Sequence, residues 1–111
     1  MSLSFDTPNP AALLQSFKKA IDNKKVTTWT YDADGDFTHS PDQWRNKAWL
    51  RPRVANGQLT MNILKPQNAT VSWEVYGVFQ GRFAESVTVH CHDQFSQAVA
   101  TAKPTAGDRC S

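Results

Sequence analysis

Residues 89–95 read VHCHDQF, and His90, Cys91, His92 and Asp93 are all types that bind metals or move protons. Four adjacent side chains cannot converge on one ion. On a helix at 100° per residue, His90 and Cys91 share a side with Phe83 and Val87, while His92 and Asp93 point elsewhere. On a strand, His90 and His92 would share a face and Cys91 would take the other. A zinc site needs three or four ligands, and the chain's other His and Cys are His39 and Cys110, which stand at no usual metal-ligand spacing. Cys91 beside two histidines also carries the ingredients of a thiol nucleophile. Neighbours in sequence rarely reach the ~3 Å between nucleophile and base that such chemistry requires. The expectation is therefore packing: Cys91 buried, His90 half-buried, His92 and Asp93 in water, with no metal and no cofactor called for.

A second acidic stretch, Asp32-Ala33-Asp34-Gly35-Asp36, spaces carboxylates as the start of a calcium loop does. Such a loop needs Gly at its sixth position and Glu at its twelfth, where this chain has Phe37 and Gln43. Asp-Gly instead reads as a turn between strands. Phosphate-loop, G-x-S-x-G, H-E-x-x-H and C-x-x-C motifs are all missing, so no motif argues for an enzyme. Tyr76, Glu85 and His90 are the candidate acid, base or ligand-binding groups of a pocket between helix and sheet.

The elements that must position these residues follow from periodicity. Asn9 and Pro10 open a helix over about 10–22, with Leu13, Leu14, Phe17, Ala20 and Ile21 at helical spacing. Residues 25–31 change to a strand pattern, and the Asp-Gly turn leads into a short second strand. In KAWLRPRVANGQLTMNILKP, Asn56-Gly57 is a hairpin turn. Ala55 should face Gln58, and from there Val54 with Leu59, Pro52 with Met61 and Leu50 with Ile63 share one face. The other face pairs Arg53 with Thr60, Arg51 with Asn62 and Trp49 with Leu64. A slip of one residue would mix the two sets, so the register is well specified. Pro52, lacking an N–H, places its strand at an edge or in partial pairing.

VSWEVYGVF alternates like a strand with one buried face, and Gln80-Gly81 interrupts it. From Arg82 the β-branched residues favour a strand, whereas Phe83, Ala84, Val87 and Cys91 fall on one helical face. The reading adopted is a helix over about 82–93, then a strand through Ala98 to Thr101. The opening MSLS carries no weight. Together these faces predict an α+β fold in two layers, an antiparallel sheet of four to six strands with the two helices packed on one face.

At 111 residues the chain is one domain able to bury its own core, taken as 1–103, with PTAGDRCS over 104–111 a polar end expected to be poorly ordered. Twelve Lys and Arg against ten Asp and Glu leave +2, too little to imply a polyanion partner. Two cysteines, one of them in the tail, make no disulfide framework, and thiols suggest a reducing, cytoplasmic setting. No apolar run approaches the ~18 residues of a membrane span.

If helices cover one side of the hairpin, the other side displays Lys47, Trp49, Arg51, Arg53, Thr60 and Asn62. Trp and Arg are the types enriched at binding hot spots. Adding Trp29 and Tyr31 would make a basic, aromatic platform. The leading expectation is a non-enzymatic interaction domain using this face, for a protein partner or for itself as a homodimer. Single-stranded nucleic acid on the same face is the alternative, and an ordinary solvated sheet face is the plain one.

Overall fold

The computed structural model describes residues 2–109. Its elements run β1 (Ser2–Asp6), α1 (Pro10–Asp22), β2 (Trp29–Tyr31), β3 (Phe37–His39), β4 (Trp49–Ala55), β5 (Gln58–Leu64), α2 (Trp73–Cys91), a 3-10 turn (His92–Gln94) and β6 (Gln97–Ala100). The six strands form one antiparallel sheet in the order β2-β3-β4-β5-β1-β6. The architecture is the expected two-layer α+β fold, at the upper end of the expected strand number.

Each helix has a local cause. Asn9 Oδ1 accepts a hydrogen bond from Ala12 N at 3.1 Å, Pro10 takes the first helical position, and Leu13 and Phe17 bury the stripe of α1. Lys24, at φ 61°, turns the chain out of α1 as its N–H bonds to Ile21 O. Ser72 caps α2, its Oγ accepting from Val75 N at 3.2 Å. Tyr76, Phe79, Gln80, Phe83, Val87 and Cys91 then repeat at three- and four-residue steps and are all buried.

The strand expected over 71–79 is therefore corrected. That stretch begins the second helix, which runs from Trp73 rather than from 82. Alternation of Val71, Trp73 and Val75 imitates a half-buried strand, but Trp73 is 69% exposed while Tyr76, Phe79 and Phe83 form the buried stripe. Gln80-Gly81 does not break the helix; Gln80 faces inward and Gly81 outward. From 82 to 91 the helical reading holds.

The β4–β5 hairpin has the register read from Asn56-Gly57, from Ala55↔Gln58 outward to Trp49↔Leu64. Gly57 supplies the positive φ of the turn, at 80°. On its other side β4 meets β3 only at Phe37↔Leu50, so Pro52 lies where no neighbour needs its N–H. β1, built from the undervalued opening residues, is an inner strand paired on both sides, with Leu3 and Phe5 1% and 0% exposed.

One face of the sheet meets both helices. Phe83 lies within 5.0–6.2 Å, centroid to centroid, of Phe5, Phe17, Trp29 and Phe37, mostly edge to face. This aromatic cluster ties α1 and α2 to β1, β2 and β3.

Candidate functional site

Pleating sends Trp49, Arg51, Arg53, Thr60, Asn62, Ser4 and Asp6 to the face opposite the helices. Arg51 is held there by Asp36 of the β2–β3 turn, through Nε to Oδ1 at 3.0 Å and Nη2 to Oδ2 at 2.9 Å. This forked pair raises the guanidinium pKa further, first by hydrogen bonding and then by charge. Asp36 is buried, whereas the Arg51 side chain is 57% exposed. The carboxylate thus fixes one edge of the fork and leaves the rest of the cation displayed. Asp32 is occupied in the turn itself, its Oδ1 accepting from Asp34 N and Asp36 N. Lys47 and Arg53 are exposed, and Trp49 is half-buried.

Thr60 and Asn62 do not join the displayed set, being 6% and 8% exposed. The chain end crosses Asn62. Asp108 accepts from Ile63 N at 2.9 Å and Asn62 Nδ2 at 3.0 Å through Oδ1, and from Thr105 N at 2.7 Å through Oδ2. Arg109 N donates to Ile63 O, and Lys65 N donates to Arg109 O, a short parallel bridge at the C-terminal end of β5. A methyl group at Gly107 would lie 2.7 Å from Asn62 Oδ1, so the chain passes this close only as glycine. Burial pushes the Asp108 carboxyl pKa up, and bonds from the Thr105 and Ile63 amides pull it back. Cys110 lies outside the described residues.

Trp29 is also absent from the open face. It is 1% exposed in the core, and Tyr31 shares its side of the sheet, reaching Asp22 with its hydroxyl at 2.7 Å. The imagined joining of these rings to Trp49 is thus corrected by the pleat: Trp29 and Tyr31 pair with His39 and Phe37, which face the helices.

VHCHDQF lies at the end of α2. Cys91 is 2% exposed, packed on the buried stripe of α2, and burial raises its thiol pKa. His92 and Asp93 are exposed as expected; His90, expected half-buried, is exposed as well. No group of three or more His, Cys, Asp or Glu among the described residues is arranged to hold a metal ion.

Tyr76, Glu85 and His90 do not share a pocket. They sit on one continuous helix, and at 1.5 Å per residue Tyr76 and His90 are about 21 Å apart along it. Tyr76 is buried, its hydroxyl without a hydrogen-bond partner among the described residues. His90 borders a cleft of about 220 Å³ with Lys19, Asn23 and Lys25, whereas Glu85 borders a different one.

That second cleft, about 300 Å³, was not signalled by any motif. Thr28, His39, Pro41, Gln43, Trp44, Arg82 and Glu85 line it. His39 stacks on Trp29 at 4.5 Å and meets the edge of Phe79 at 6.1 Å. Its pKa is lowered, chiefly by burial and further by the Arg82 charge, against the opposing pull of its bond to Thr28 O and of Glu85.

No family model, no curated protein and no solved structure matches this chain. No helix among the described residues is long and apolar enough to cross a membrane.

Proposed function

We propose that the chain is a non-enzymatic interaction domain that acts through the open face of its sheet at Trp49, Arg51 and Arg53, and that its first partner is a second copy of itself. The observation that carries this reading is the Asp36 fork on a half-exposed Arg51. A cation already held in place loses less side-chain freedom when a partner arrives, so more of its interaction energy appears as affinity.

Arg53 lies on the same strand face and is exposed. Asp6, also on this face, lies across β5 and two residues further along the strands, in line with Gln58 and Ala55, so the two Cα atoms are roughly 12 Å apart; its carboxylate is fixed by Gln58 Nε2 at 3.1 Å and Gln97 Nε2 at 2.7 Å. A two-fold axis between them would set Arg53 of each copy against Asp6 of the other, the self-complementary geometry of an isologous interface. Trp49 supplies the aromatic contact at the margin. The reading places the protein in the cytosol, where Cys91 stays a thiol.

Single-stranded nucleic acid is less well supported. Base stacking needs several aromatic platforms along a cationic groove, and among the described strand residues Trp49 is the one aromatic ring on this face. Sedimentation equilibrium tests the proposal: the wild-type chain should dimerise with rising concentration, and Arg53→Glu should shift it to monomer. A wild-type chain that stays monomeric, or a dimer indifferent to Arg53→Glu, would refute it.

A further inference from the structure

His39 is 94% withdrawn from solvent, being only 6% exposed, yet it forms a wall of the cleft beside Arg82 and Glu85. Its Nδ1 lies 2.7 Å from Thr28 O. A carbonyl oxygen can only accept, so Nδ1 carries the proton, and in the neutral ring Nε2 is a bare acceptor. Nε2 makes no hydrogen bond among the described residues and is not among their fully sealed polar atoms. The ring is thus fixed by Trp29, Phe79 and a backbone carbonyl, with one lone pair left for the cleft.

The charges at the rim are weakly committed. Arg82 Nη1 and Glu85 Oε1 meet at 3.4 Å with both side chains more than half exposed, a pair of negligible strength that a ligand can displace. Trp44, half-buried, and Pro41 supply apolar walls. A bare acceptor demands a donor, a guanidinium demands an anion, and the apolar walls demand carbon. The volume suits a molecule at the small end of the ligand range.

We infer that the His39 cleft binds a small carboxylate bearing a hydroxyl or amino group on the adjacent carbon, with the carboxylate on Arg82 and the O–H or N–H donated to His39 Nε2. An amino donor would in addition face the Glu85 carboxylate. The inference is independent of the open-face reading, because Arg82 and Glu85 lie on α2, on the helix-covered side of the sheet.

The test is a titration of the full, ¹⁵N-labelled chain by NMR with L-lactate and L-alanine, each against propionate, which lacks the donor, and 2-propanol, which lacks the carboxylate. Either L-lactate or L-alanine should shift the His39 ring and Arg82 side-chain signals saturably, and the two controls should bind about tenfold more weakly or worse, the cost of one charge-assisted hydrogen bond. Arg82→Gln, an exposed change that leaves the fold alone, should weaken binding by about tenfold as well. Absence of saturable shifts, or binding of propionate or 2-propanol equal to that of L-lactate and L-alanine, would overturn the inference.

Discussion

The two faces of the sheet are made by the same strands and held by different physics. On the helix side, Phe5, Trp29, Phe37, Phe79 and Phe83 are each no more than 1% exposed and touch mainly one another. Their contribution is burial and ring packing, which has little preference among apolar alternatives of similar volume. On the open side, Arg51, Asp36, Asn62 and Asp108 are ordered by directional bonds of 2.9–3.0 Å. Such bonds add modest net stability because water competes for the same groups, but they fix where each group points. One face stabilises the domain, and the other presents chemistry in fixed positions.

The comparison breaks most visibly at Phe83. Phe83→Ala removes the ring that both helices and three strands share, and should cost about 3–5 kcal/mol of unfolding free energy in a urea titration. A loss typical of a surface site would mean that the cluster is not the centre of the core. On the open face, Asp108→Ala leaves the Ile63 and Thr105 amides short of an acceptor and should cost about 1–3 kcal/mol by the same titration. It should also raise amide exchange at Ile63 and Lys65, next to the Arg109 bridge, while the exchange of Phe5 stays protected.

The smallest expected effect is the pH dependence from His39. Its folded pKa is depressed below the usual 6.5, so the unfolded chain takes up the proton first as pH falls. The stability associated with neutral His39 is fully present above 6.5 and is lost as pH falls from there to the depressed folded value. Unfolding free energy followed between about pH 5 and 8 should rise with pH through this window, and His39→Gln should flatten that rise.

The sequence read well where the signal was local. Asn56-Gly57 with its alternating flanks specified seven residue pairs of β4 and β5, because a two-residue turn leaves the pairing no freedom. Asn9-Pro10 marks the start of α1, because the Asn side chain caps the first turn and Pro lacks an N–H that would need a partner there. It misled where two periods overlapped: Val71, Trp73 and Val75 alternate, yet Tyr76, Phe79, Phe83 and Val87 form the helical stripe that Ser72 caps. Reading Ser72 as a cap would have recovered the first half of α2. SLSFD also alternates, with Leu3 and Phe5 on the buried face of β1.

The sites were less legible, because their partners come from distant parts of the chain. Asp36 meets Arg51 across β3 and β4, and Asp108 meets Asn62 from the far end of the chain; neither pair has a spacing that marks it. In the sequence His39 stands only as a histidine remote from His90 and His92. Its meaning comes from Thr28 behind it and Arg82 and Glu85 before it, which only the fold assembles.

The open face as the association surface is the central claim, and the four tryptophans make it directly observable. A dilution series followed through the indole N–H signals should move Trp49 as dimer gives way to monomer and leave Trp29, sealed in the core, where it is. Shifts confined to Trp73 on the outer side of α2, or no shift at any tryptophan, would contradict the account.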